Sequence, residues 1–182
     1  CDRACSFCSN KQRNIINRKK NIHLSEKVFL ELTEDLKKLD VKGVSFAGGG
    51  DPLRYDSNLL TSFFCQKNIN YKIGIHTNGI NLNKFILQDT IESNNIAYIN
   101  MSCFAHTSNL YQTITGKSYN QFKIIENNIK IIQALKKNMN NFPTFGIKIL
   151  ICRENYKYIN EIYQYFLSLG VDNLLLRCVG NF

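Results

Sequence analysis

Three cysteines fall within the first eight residues, Cys1, Cys5 and Cys8, with three and then two residues between them. A loop this short can wrap three soft thiolates around one metal centre, which suits iron–sulfur or zinc ligation. No fourth cysteine lies nearby. An iron–sulfur cluster held by three thiolates keeps one iron without a protein ligand, open to a small molecule, whereas a structural zinc ion is normally closed by four protein ligands. The nearby residue that could close a zinc site is His23, fifteen positions beyond Cys8. Cys65, Cys103, Cys152 and Cys178 are scattered along the chain. An odd total of seven cysteines is a poor disulfide framework. We expect the scattered four to behave as small buried hydrophobes, in a protein of the reducing cytosol.

Forty residues after Cys8 comes a second group, Gly48, Gly49, Gly50, Asp51 and Pro52, directly after the short apolar run Val44 to Ala47. Glycines let a ligand approach the backbone closely. The same pattern also suits an ordinary turn between a strand and a helix. His76-Thr77-Asn78-Gly79 and Ile99-Asn100-Met101-Ser102 end two further apolar runs, and Thr115-Gly116 follows. Asn155, Arg177 and Lys148 are weaker candidates for facing a ligand. Asn is a common turn residue, Arg often only pairs with a surface carboxylate, and Lys148 reads as an edge residue with a snorkelling stem.

These residues need a frame. Ser25 is a plausible N-cap, followed by Val28, Phe29, Leu32, Leu36 and Leu39 at helical spacing. After the strand at Val44 to Ala47, the pattern predicts helices near Ser57–Lys67, Leu82–Ser93, Tyr119–Lys137 and Tyr158–Leu169. They alternate with strands near Tyr71–His76, Ala97–Phe104, Thr144–Ile151 and Asn173–Val179. Short apolar strands spaced by long helices imply an α/β fold with a parallel sheet buried on both faces. In such sheets ligands gather at the carboxyl ends of the strands, where the glycine run, Asn78 and Ser102 all fall.

The 182 residues, 44% of them hydrophobic, are enough for one domain. No apolar run reaches the length of a membrane span and no signal-peptide pattern is present, so no membrane partner is expected. The chain opens on Cys1 and ends without an evident tail, and both ends are expected to be cuts through a longer protein. The net charge of +9 can attract nucleic acid, or it can reflect a solvated surface. Lys11, Arg13, Arg18, Lys19 and Lys20 form the locally dense run.

The opening Cys1-Asp2-Arg3-Ala4-Cys5-Ser6-Phe7-Cys8, with an aromatic residue directly before the third cysteine, resembles the signature of the radical S-adenosylmethionine (radical SAM) superfamily. The resemblance implies a [4Fe-4S] cluster on Cys1, Cys5 and Cys8, with S-adenosyl-L-methionine on the open iron and Phe7 in the aromatic place beside it. Gly48-Gly49-Gly50-Asp51-Pro52 resembles the superfamily's Gly-Gly-Glu-Pro motif, which binds the methionyl amino group, with Asp51 replacing the usual Glu. Thr77 and Asn78 match its Thr-Asn-Gly strand end, and Ser102 its cofactor-contacting serine. Many members carry Asp two residues after that serine, where this chain has Phe104.

The implied fold is a partial (β/α)6 TIM-like barrel of parallel strands whose first strand would precede Cys1. Residues 1–182 would then be a core domain truncated at both ends, with any auxiliary-cluster domain beyond Phe182. The implied activity is reductive cleavage of the cofactor to a 5′-deoxyadenosyl radical that takes a hydrogen atom from a substrate. An electron donor such as flavodoxin or ferredoxin is implied as partner, and a peptide, a protein or an RNA as substrate. The alternative from another class is a non-catalytic, metal-stabilised module that binds nucleic acid.

Overall fold

The computed structural model describes residues 1–182 apart from 2, 11–15, 17–22, 68, 85–87 and 180–182. The dense basic run at 11–20 therefore lies outside the described residues. Helix α1 spans Glu26–Lys38, with the Ser25 hydroxyl accepting the Val28 N–H at 3.3 Å as its cap. Strand β1 is Gly43–Phe46, followed by a single turn at Pro52–Arg54 and helix α2 at Ser57–Phe64. Strand β2 is Lys72–Thr77, helix α3 Gln88–Glu92 and strand β3 Ile96–Ser102. Helices α4, Ser108–Thr115, and α5, Tyr119–Asn138, lead to strand β4, Thr144–Ile151. Helix α6, Ile159–Ser168, and strand β5, Asn173–Cys178, complete the described elements.

The five strands form one parallel sheet in the order β1-β2-β3-β4-β5. Because side chains alternate across a strand, the register sorts them into two faces. Val44, Phe46, Ile73, Ile75, Ile99, Met101, Phe145, Ile147 and Ile149 share one face and join a single core. That core also takes Phe29 of α1, Phe63 and Phe64 of α2, Ile129 and Ile132 of α5, and Ile162 and Phe166 of α6. Sequential strand order with the helices on one face is the arrangement of a barrel wall, not of a doubly wound sheet.

The other face differs from the sequence-based expectation. Ser45, Gly74, His76, Tyr98, Asn100, Ser102, Gly146 and Lys148 line it, and most are half-buried or exposed. The sheet is thus apolar on one side and polar on the other. Two glycines make room there: a methyl at Gly74 would strike the Tyr98 ring, and one at Gly146 would strike the Asn173 and Asn100 amides. Lys148 lies on β4, an interior strand, so the edge placement read from the sequence is corrected. The expected helix at Leu82–Ser93 is a single turn at Leu82–Lys84 and the short α3. Helix α4 was not anticipated at all. No helix among the described residues is long and apolar enough to cross a membrane.

Candidate cofactor site

The glycine loop, the end of β2, the end of β3 and the cysteine loop are the parts to be joined, and two side chains join them. The first is Asp51, 8% exposed. Its carboxylate caps the Pro52–Arg54 turn by accepting the Leu53 N–H at 3.0 Å. It also accepts the Asn78 N–H at 2.5 Å, and the Thr77 hydroxyl lies 3.0 and 3.1 Å from its two oxygens. A charged acceptor serving three buried donors is a strong local tie. It fixes the glycine loop to the end of β2. The Asp51 side chain therefore has a structural role.

The second is Arg3, which the sequence reading passed over. The residue is 5% exposed. It donates to the Ser102 carbonyl at 2.7 Å, to the Asn78 carbonyl, and from Nε to the Tyr111 hydroxyl at 3.1 Å. The cysteine loop is thereby pinned to the carboxyl ends of β2 and β3. Helix α4 adds backbone support: the Ala4 and Ser6 N–H groups donate to the Thr115 and Ile114 carbonyls, each at 3.1 Å. These are carbonyls of its last turn, which lack partners within the helix. Gly116, at φ 63°, ends that helix in the left-handed conformation that glycine accepts without strain.

Around this loop sits a small apolar cluster of Cys5, Phe104, Ile114 and Cys152, with Phe7, Cys8, Leu110, Leu150 and Val179 against it. Phe7 meets the Phe104 ring edge-on, 5.2 Å between centroids. Phe104 stands where many superfamily members have Asp, and it is a packing residue here. Burial pushes the Cys5 thiol up, while the Arg3 charge pulls it down. Cys1 and Cys8 are half-buried, and the Asn78 side-chain amide lies 3.9 Å from the Cys1 sulfur. Gly48, Gly49 and Gly50 are exposed, Pro52 half-buried, and Ser102 half-buried at the last position of β3.

Among the described residues, no group of three His, Cys, Asp or Glu side chains converges to grip a single ion. His23 stands 6.4 Å from the Tyr55 ring. A [4Fe-4S] cluster takes one thiolate at each of three irons, so its ligands surround it rather than meet at a point. Three cysteines on one pinned loop, at the strand ends where ligands gather, fit that demand.

The remaining candidates separate. Asn155 is fully buried and spent on the backbone: it donates to the Phe104 and Leu150 carbonyls and accepts the Cys152 N–H, at 2.8 to 3.0 Å. Arg177 is exposed on β5. Lys148 is half-buried beside Ser102 in the register. Of the four scattered cysteines, Cys103 and Cys152 are buried as expected, but Cys65 is half-buried and Cys178 exposed. The polar face adds a chain that the sequence did not announce. The Tyr98 hydroxyl lies 3.2 Å from the Ser45 hydroxyl and 3.3 Å from His76 Nε2.

Comparison with known proteins finds relatives that share the fold. A curated relative, a tungsten-containing aldehyde ferredoxin oxidoreductase cofactor-modifying protein of Pyrococcus furiosus, is 25% identical over 154 residues, covering 82% of this chain and 41% of that protein. Among solved structures, SuiB of Streptococcus suis matches with a TM-score of 0.68 at 20% identity, over 100% of this chain and 38% of that one. Native anSMEcpe with bound AdoMet and the Kp18Cys peptide matches with a TM-score of 0.70 at 14% identity, over 100% and 49%. The chain thus spans less than half the length of each. A family profile described as the Radical SAM superfamily matches residues 1–166, which takes in the cysteine loop, the glycine loop and four of the five strands. The chain belongs to the radical SAM superfamily, whose enzymes use a [4Fe-4S] cluster and S-adenosylmethionine.

Proposed function

We propose that residues 1–182 form the core domain of an enzyme that binds a [4Fe-4S] cluster through Cys1, Cys5 and Cys8. S-adenosylmethionine would lie against Phe7, Gly48, Gly49, Gly50, Asp51, Pro52, Thr77, Asn78 and Ser102. When bound, the two groups supply a one-electron reductive cleavage that leads to hydrogen-atom abstraction from a substrate. The electron would come from a flavodoxin or ferredoxin in a reducing cytosol.

The observation that carries this reading is the joining of four separate segments at one sheet edge by Asp51 and Arg3. The chain's own residues then have distinct tasks. Asp51 holds the exposed glycine backbone at the end of β2, where the N–H and C=O groups of Gly48 to Gly50 are available to a methionyl group. Phe7, Phe104 and Ile114 build an apolar wall behind the cysteine loop that keeps water from one side of it. A peptide or protein substrate is favoured, because the structurally similar anSMEcpe holds a peptide together with AdoMet. The basic run that would favour RNA lies outside the described residues.

The test uses the full-length protein, reconstituted anaerobically with iron and sulfide. The expected result is about four irons per core domain and dithionite-dependent release of 5′-deoxyadenosine from S-adenosylmethionine. Stoichiometric zinc with no visible absorbance, and no cofactor cleavage, would overturn it.

A further inference from the structure

The placement of Arg3 is unusual for a residue that only ties a loop. Arginine keeps its charge in proteins. Here Arg3 is 5% exposed, and the three hydrogen-bond acceptors of its guanidinium are neutral: two backbone carbonyls and a phenol. Among the described residues no carboxylate lies within ion-pair distance of it. The Tyr111 and Phe104 rings stand 5.3 and 5.9 Å from its central carbon and add some attraction. A buried charge without an opposite partner is costly, and neutral acceptors offset only part of that cost. Pinning the loop would need donors alone, which a neutral side chain also offers. A permanent cation is called for where a negative group stands close.

The flanking residues name that group. Arg3 lies between Cys1 and Cys5 in the loop, and its guanidinium is held at the same strand ends as that loop by the Ser102 and Asn78 carbonyls. Thiolates that bind iron are deprotonated, so the occupied loop is anionic, and each electron added makes it more so. We propose that Arg3 is the counter-charge of the cluster: its guanidinium, locked between the ends of β2 and β3, offsets the thiolate-bound cluster's negative charge and favours its reduced form. This rests on the reading that Cys1, Cys5 and Cys8 hold the cluster. The three bonds from Arg3 to Ser102, Asn78 and Tyr111 hold the charge in place, so little reorganisation accompanies electron arrival. Burial strengthens the effect, because interactions between charges are less screened away from water.

The experiment compares wild type, Arg3→Gln and Arg3→Lys in the full-length, anaerobically reconstituted protein. Iron per chain is measured first. The cluster's midpoint potential is then read by redox titration of the reduced cluster's paramagnetic signal. Arg3→Gln should shift the reduction equilibrium about tenfold toward the oxidised form, roughly 59 mV for one electron. Arg3→Lys, which keeps the charge and loses the planar fork, should stay near wild type. A glutamine variant that keeps its iron at the wild-type potential overturns the proposal. If the glutamine variant holds no iron, the lysine variant decides: a potential near wild type supports the counter-charge, and a tenfold fall overturns it. A wild-type protein that takes up no iron defeats the cluster assignment, and this inference with it.

Discussion

Thr77 and Asp51, twenty-six positions apart, meet in the buried edge of the site, the threonine hydroxyl 3.0 and 3.1 Å from the two carboxylate oxygens. With the N–H groups of Leu53 and Asn78 on the same carboxylate, Asp51 is the hub between the glycine loop and β2. Asp51→Ala strands three buried donors. It should lower the full-length protein's stability by about 1–3 kcal/mol, the usual cost of unsatisfied buried groups. Asp51→Glu adds one methylene to a filled site and should cost less. Denaturant unfolding gives the stability. Both variants should keep their cluster iron, since no cysteine is touched, while cofactor affinity falls with the displaced loop.

What was legible in the sequence follows from what has local cause. The strand ends were readable because Gly48 to Gly50 and Asn78-Gly79 interrupt apolar runs, and that interruption needs no knowledge of distant partners. Helix α4 was not, because eight residues hold only Leu110, Tyr111 and Ile114 as an apolar face, too few to set a period. The polar face of the sheet was hidden for a different reason. Asn100 and Lys148 sit singly between apolar neighbours and His76 follows Ile75, and only the register shows that they share a side. Arg3 and Asp51 act across long sequence separations on backbone atoms. No spacing rule encodes that.

The cysteines divide into two groups with opposite expected outcomes. Replacing any one of Cys1, Cys5 or Cys8 with Ala should abolish the visible iron–sulfur absorbance after reconstitution. Replacing Cys65, Cys103, Cys152 and Cys178 together should leave the iron content unchanged. The cost of that variant should fall on Cys103 and Cys152, the two that are buried. Iron lost from the fourfold variant would show that one of them, most naturally Cys152 beside Cys5, is a ligand.

His76 should give the protein a pH-dependent stability. Burial, and then the Lys148 charge, hold its pKa below the usual 6.5. The unfolded chain therefore binds a proton more readily than the folded one. The stabilising contribution is complete above about pH 6.5 and is lost as pH falls through the lower folded value. Thermal unfolding between about pH 7 and pH 5 should show a steeper decline for wild type than for His76→Gln. Lys148→Met should move the His76 titration, followed by NMR, upward toward its ordinary value. An unmoved titration would mean that Lys148 does not act on this face.

Gly48 and Gly49 are neighbours with different reasons for lacking a side chain. Gly48 sits at φ 154°, a backbone region that L residues rarely adopt, although a methyl there would meet nothing closer than 4.0 Å. Its replacement costs backbone strain, about 1–3 kcal/mol, whether or not a ligand is bound. Gly49 has no positive φ, and a methyl there would stand 3.8 Å from the Asn10 side chain, an ordinary contact. The fold accepts a side chain at Gly49. The proposed cofactor site does not, because the space beside the glycine backbone is where the methionyl group would lie. Gly49→Val should therefore unfold within about 0.5 kcal/mol of wild type, keep its cluster, and lose S-adenosylmethionine affinity and cleavage. Ser102→Ala should weaken binding more mildly, by about 0.5–1.5 kcal/mol, one neutral hydrogen bond. Anaerobic titration of the cofactor, followed through the reduced cluster's paramagnetic signal, measures both variants. An unchanged titration for Gly49→Val would remove the glycine loop from the cofactor site.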